Sequence, residues 1–407
     1  MISISEALKI IKREAVSLDT ETIDLTDTVG RILAQDIFAD TDLPPFDRSQ
    51  MDGYAVRTKD VDKANEKNPI KLKIIGESVA GLGFDEKIKR GEAVRIMTGA
   101  RVPNGADAVQ KKELARETRI ENGENLVEIL EATKLRQNII LKGAEIKAGK
   151  KVFDKGEILV AQMIAPLASF GYAKLKVFTK PKTAIIATGS EIVDVSEKPK
   201  KDQIRNSNSI SLKVFAENMA STKIFPIAGD DIESLKGKIV RAVETCDVLV
   251  LSGGVSVGDY DFTKPALCAL GAEIFFERVA LRPGKPTVFA KLNDKLIFGL
   301  PGNPVSVAVT FFLFVRTALL KMQNASDCEL KSGRAILKRK IKGAKGRDSL
   351  LPAFVETNAK GKLVVESLQF SSSSNFIAFS RANCLVFVPR DEILDIGCVV
   401  KIKYLPL

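Results

Sequence analysis

Two glycine-punctuated blocks constrain this chain more than anything else in it. They are Asp247-Val-Leu-Val-Leu-Ser-Gly-Gly-Val-Ser-Val-Gly-Asp-Tyr-Asp-Phe-Thr-Lys264 and Ile297-Phe-Gly-Leu-Pro-Gly-Asn-Pro-Val-Ser306. Each reads as a buried strand that runs into a loop of bare backbone amides and then into a helix. Helix-start N–H groups have no partner within the helix, and the helix dipole favours negative charge there, so this arrangement suits a phosphate group.

The blocks sit in a region of regular alternation. From about Lys180, strand candidates at 183–187, 223–227, 248–251, 274–278, 287–290 and 297–300 alternate with helix candidates at 209–220, 232–245, 262–270 and 304–320. Continuous apolar strands separated by helices predict a mostly parallel sheet covered on both faces. Ligands of such sheets lie beyond the carboxyl ends of the strands, where the glycine loops fall.

The rest of the chain has a different texture. Residues 3–17 read as an amphipathic helix opened by a Ser3/Glu6 capping box. From Asp47 to about Thr133 short strands alternate with turn signals such as Pro103-Asn-Gly105 and Asn122-Gly123, predicting a small all-β domain. Beyond Asn324 only short strands remain, so the tail is expected to be a β-barrel or sandwich, with Ser371–Ser374 as a polar loop. The expected division is an N-terminal domain of residues 1–46 and 138–178, a β domain inserted at 47–137, an α/β domain at 179–325 and a C-terminal β domain at 326–407.

Composition excludes several chemistries. The 407 residues contain no histidine, so no Ser-His or Cys-His nucleophile pair and no histidine metal site can form. The five cysteines form no C-x-x-C pair and predict reduced thiols in a cytoplasmic protein. A net charge of +11 fits an anionic small substrate better than nucleic acid, because the basic residues are dispersed and the chain has no Trp and four Tyr for base stacking. The start of the chain lacks the basic region of a signal peptide. Val305–Leu320, interrupted by Arg316, is read as a core helix and not a membrane span.

Candidate site residues follow from the loops. Ser252, Gly253, Gly254, Ser256 and Gly258 leave amides facing outward after a buried strand, with Asp259 and Asp261 beside them for a divalent cation or a helix cap. Pro301, Gly302, Asn303 and Pro304 combine close backbone approach with an N-cap and a proline at the first helical position. Glu191 of Thr188-Gly-Ser-Glu191 could hold a metal or orient a water, and Asp230 and Asp231 are either metal ligands or helix-start residues. Arg282 and Lys285 supply a bidentate grip and a point charge for an oxyanion.

Taken in order, these motifs resemble MoeA, the molybdopterin molybdenumtransferase family that includes the C-terminal domain of gephyrin. The match runs through Met51-Asp-Gly-Tyr-Ala55, Thr98-Gly-Ala100, Gly105-Ala-Asp-Ala-Val109, Thr188-Gly-Ser-Glu191, the Ser252 and Pro301 loops, Pro283-Gly-Lys-Pro286 and Arg381-Ala-Asn383. Gln50, Glu145 and Cys384 depart from the residues usual in that family. The resemblance implies an elongated N-terminal domain, a molybdopterin-binding α/β domain, a C-terminal β-barrel and a homodimer. It also implies insertion of molybdate into adenylylated molybdopterin with release of AMP, supported by Mg²⁺ on Glu191, Asp261 and Asp230 or Asp231. A molybdopterin adenylyltransferase is the implied pathway partner. Asp52 and Thr98 would join the site across the dimer, a role nothing in the residues themselves suggests. The alternatives are a molybdopterin adenylyltransferase, which is usually the α/β domain alone, and a non-enzymatic gephyrin-like scaffold, which would need no acidic site.

Overall fold

The computed structural model describes residues 1–119, 125–229, 231–255, 262–368 and 375–406; the expected turn at Asn122-Gly123 and the loop at Ser371–Ser374 lie outside them. The chain divides into two compact units, one of Met1–Gln35, Lys155–Ile164 and Ala173–Leu407, the other of Asp36–Asp154 and Ala165–Tyr172.

In the first unit six strands form one sheet: β1 (Lys182–Ala187), β2 (Ser221–Ile224), β3 (Val248–Ser252), β4 (Glu273–Phe276), β5 (Val288–Leu292) and β6 (Lys295–Leu300). Their order is β2-β1-β3-β6-β5-β4. The first four in that order run parallel; β5 is antiparallel to both β6 and β4, so β4 points the same way as the first four. Alternation of the side chains settles which face each residue serves. Ile185, Val248, Val250, Phe289 and Phe298 pack on one face, with helix α1 (Ser207–Ala216) and the long C-terminal helix of this region. Ala184, Ile186, Leu249, Leu251 and Ile297 pack on the other, with α2 (Ile232–Val243) and α3 (Thr263–Ala269). Phe289 and Phe298 are fully buried, and each such side chain contributes roughly 1.5–3 kcal/mol of hydrophobic stabilisation.

The long helix, α4 (Pro304–Met322), carries a π turn at Phe311–Val315. It is long and apolar enough to cross a membrane, but it is largely buried inside the protein, as expected of a core helix. The N-terminal helix Ile4–Glu14 joins the same apolar cluster through Ala7, Leu8 and Ile11. Ser3 Oγ accepts the Glu6 N–H at 3.1 Å, the forward half of the expected capping box. The helix stops short of Ser17 because Ala15 turns extended and Leu18 N–H donates to the Met322 carbonyl instead.

The tail of this unit closes on itself. Strands 348–357, 363–367, 332–337, 399–404 and 384–388 pair in that order, and the last pairs back onto the first. Of the two expected forms, barrel or sandwich, it is a closed five-stranded barrel. Leu281 and Arg282 add a short parallel strand at Asp348 and Ser349. The second unit holds a six-stranded sheet, ordered 108–111, 53–56, 92–96, 70–78, 125–129, 115–119. It is antiparallel except for the pair 70–78 and 92–96. The chain is thus a multidomain α/β plus β protein with a mostly parallel central sheet.

Candidate functional site

At the carboxyl ends of β1, β3 and β6, backbone hydrogen bonds continue past the strands and tie the loops together. Thr188 N–H donates to the Ser252 carbonyl, Gly189 N–H to Ala228 and Gly253 N–H to Leu300, each at 3.0 Å. Glycine is required in the middle loop. Gly253 has φ +99°, and a Cβ there would stand 2.6 Å from the Thr188 carbonyl oxygen. Gly254, at φ +63°, is wedged between the hydroxyls of Thr188 and Thr263, each 3.0 Å from where its Cβ would be. Thr263, at the start of α3, fixes this turn by donating N–H to the Gly254 carbonyl at 3.2 Å and Oγ1–H to the Gly253 carbonyl at 3.3 Å.

These loops line one cavity of about 1020 Å³. Its wall includes Thr188, Gly189, Glu191, Ser252, Gly253, Gly254, Pro301, Gly302, Asn303 and Pro304. Two helix starts face it. Asn303 is the N-cap of α4 with Pro304 behind it, and Asn206 caps α1 by accepting the Ser209 N–H at 3.1 Å. The first turns of two helices and the amides of a glycine loop favour a negatively charged ligand, and the volume suits one of nucleotide size or larger.

One side chain joins two of the loops. Asn208, in the first turn of α1, donates its two amide N–H groups, to Ser252 Oγ at 3.1 Å and to the Gly302 carbonyl at 2.7 Å. The sequence reading missed this residue. It starts α1 at Ser209, whereas the Asn206 cap starts it at Ser207 and turns the first turn toward the cavity. Arg205, Gln203 and Phe376 also line the cavity without having been singled out.

The remaining candidates are distributed differently. Asp231 caps α2, accepting the Ser234 N–H at 2.7 Å, and is not among the residues lining the cavity. Arg282 sits on the short strand against the barrel; neither it nor Lys285 lines the cavity, though Pro286 does. Ser256, Gly258, Asp259, Asp261 and Asp230 lie outside the described residues. Among the described residues no group of three or more Asp, Glu or Cys is placed to hold a metal. Glu191 is the one carboxylate on the described cavity wall. A Mg²⁺ held by one or two carboxylates and substrate phosphates needs no larger protein cage, so this donor set is compatible with it.

In the second unit, Asp52 and Thr98 are brought together. Asp52 Oδ1 accepts both the backbone N–H and the hydroxyl of Thr98, each at 2.7 Å. These two bonds, helped by Lys112, hold the Asp52 carboxyl below the usual carboxylate range. A hollow of about 100 Å³ beside it is lined by Asp52, Gly53, Tyr54, Arg95, Met97 and Lys112. Burial and a hydrogen bond to Glu117 push the Tyr54 phenol up, so it stays protonated.

Comparison with known proteins covers nearly the whole chain. The model "MoeA N-terminal region (domain I and II)" matches residues 2–171, "Probable molybdopterin binding domain" 184–321 and "MoeA C-terminal region (domain IV)" 334–405. A molybdopterin molybdenumtransferase of Staphylococcus aureus (strain COL) is 37% identical over 95% of this chain and 91% of its own length. One from Staphylococcus epidermidis (strain ATCC 35984) is 35% identical over the same shares. The crystal structure of a molybdopterin biosynthesis moeA protein from Pyrococcus horikoshii OT3 superposes with a TM-score of 0.84 at 32% identity, covering 100% of both chains.

Proposed function

Since the chain belongs to the MoeA family, whose curated members here are molybdopterin molybdenumtransferases, we propose that it makes molybdenum cofactor by inserting molybdate into adenylylated molybdopterin and releasing AMP. The observation that carries this reading is the convergence of the Thr188, Ser252 and Pro301 loops with two helix starts on one large cavity. A pyrophosphate-linked ligand is multiply anionic, and that wall is rich in backbone N–H groups and poor in carboxylates.

The protein's own groups divide the task. The Gly254 and Gly302 amides take phosphate oxygens, as the first turns of α1 and α4 reinforce. Ser256 and Gly258 are further candidates for contacts to the same ligand, and Arg282 and Lys285 add positive charge. Glu191, Asp261 and one of Asp230 and Asp231 hold Mg²⁺, which when bound neutralises charge on the phosphoryl oxygens. Asp52, kept ionised by Thr98, acts with Thr98 in the site of a second subunit of a homodimer. The enzyme works in the cytoplasm, taking its substrate from a molybdopterin adenylyltransferase.

The test is to incubate the protein with adenylylated molybdopterin, Mg²⁺ and molybdate, and separately with molybdopterin, ATP and Mg²⁺. Molybdate-dependent AMP release supports the transferase, ATP consumption the adenylyltransferase, and neither the scaffold. Asp52→Ala and Asp261→Ala are each expected to abolish AMP release with the fold intact. Mixed and allowed to exchange subunits, the two variants should recover about a quarter of wild-type activity, the share of intact sites after random pairing in a two-fold dimer. No recovery on mixing would rule out a shared site, and unchanged turnover by Asp261→Ala would remove that residue from the chemistry.

A further inference from the structure

We propose that Arg205 is the residue that grips a phosphate oxyanion of the ligand in the α/β cavity. This rests on reading the cavity as the site of a phosphate-bearing substrate. Among the described residues lining it, two carry charge, Glu191 and Arg205. A ligand with several negative charges therefore meets one fixed cation on this wall, and it is not either of the basic residues in the Arg282–Lys285 turn.

The backbone around Arg205 holds it in place. Ile204 and Arg205 form a short parallel ladder with Ile192 and Val193, and the Ile204 and Asn206 N–H groups donate to the Glu191 and Val193 carbonyls, each at 2.9 Å. Asn206 then caps α1. Arg205 thus stands between the short strand that follows Glu191 and a helix whose first turn faces the same cavity. Its Nε donates to the Glu197 carbonyl at 3.0 Å, which orients the guanidinium plane while engaging one of its five N–H groups. It forms no salt bridge with any described carboxylate and is exposed to solvent, so its two terminal nitrogens are available for a bidentate contact with phosphate.

The division of charge is chemically consistent. Glu191, one strand away, binds a cation in the proposed function, and Arg205 takes the anion that the cation accompanies. Were the two paired with each other, neither would be available.

Titration calorimetry with inorganic pyrophosphate, using wild type, Arg205→Ala and Arg205→Lys, tests this directly. Arg205→Ala should weaken binding about 10- to 100-fold, the range for losing a charge-assisted contact. Arg205→Lys, which keeps the charge without the planar fork, should fall between. The same order is expected in KM for adenylylated molybdopterin, with the thermal midpoint unchanged. Equal pyrophosphate affinity in wild type and Arg205→Ala, including no binding by either, overturns the proposal. If affinity depends on Arg205 but wild type releases no AMP, the anion contact stands and the transferase reading falls.

Discussion

Around the α/β cavity bonds between main-chain groups of several loops hold the polar groups in place, whereas at Asp52 one exposed carboxylate is held by the N–H and hydroxyl of a single residue. The cavity floor is set by three interstrand hydrogen bonds and by glycines with no room for a Cβ beside Thr188 and Thr263. The Asp52 carboxylate depends on two bonds from a single residue far away in sequence. The first arrangement should therefore fail all at once when a loop atom is added. The second should change gradually, by titration.

The largest effect is expected at Gly253. Alanine there needs φ +99° and puts its Cβ 2.6 Å from the Thr188 carbonyl oxygen, which is backbone and cannot swing aside. Loss of stability of about 2–4 kcal/mol is expected from strain and overlap together, with AMP release abolished. Urea denaturation measures the first and a nucleotide assay the second. A near-neutral Gly253→Ala would mean that the loop is pliable, and the contrast between the two regions would collapse.

Asn208 should give a smaller and more selective effect. Asn208→Ala removes both bonds joining Ser252 to Gly302, yet both loops keep their backbone ties. Stability is expected to drop by about 1 kcal/mol, whereas kcat/KM drops by about 10- to 100-fold because the two loops lose their relative position. Asn208→Asp, which cannot donate, should fail as badly as alanine. If activity falls only in proportion to the unfolded fraction, Asn208 is merely structural.

These differences also explain what could be read in the sequence. The α/β sheet was legible because its strands are continuous apolar runs, and the cavity loops because glycines in the Ser252 and Pro301 blocks mark close backbone approach. Asn208 was not legible, since an asparagine just inside a helix looks like any other until the Asn206 cap fixes which way the first turn points. Arg205 was one of 62 basic residues, and only the ladder with Ile192 and Val193 brings it to the cavity wall. Asp231 reads equally as ligand or cap in sequence, and its bond from the Ser234 N–H, which makes it the cap of α2, is visible only in the fold. Asp52 and Thr98 had no local signal at all. Their pairing is a contact between the ends of different strands, and only the family resemblance drew attention to them.

The smallest effect should come from Thr98→Val, and it isolates what distinguishes the second region. The substitution deletes the hydroxyl bond to Asp52 but keeps the backbone N–H, the larger of the two influences on that carboxyl. In the wild type the folded-state value lies below the unfolded one. The contribution of these bonds is thus fully present above the ordinary carboxylate range and is lost as pH falls through the depressed value. With one bond gone, the Asp52 value should rise toward the ordinary range without reaching it, because the N–H remains. If ionised Asp52 serves the reaction, the acid limb of the pH–rate profile should move upward by the same amount, while activity at neutral pH changes only a few-fold. Carboxyl carbon NMR titration of Asp52 in both proteins gives the shift independently of turnover. A titration that moves without the rate profile would show that Asp52 stabilises its own turn and takes no part in the chemistry. A rate profile that moves without the titration would assign the limb to another acid.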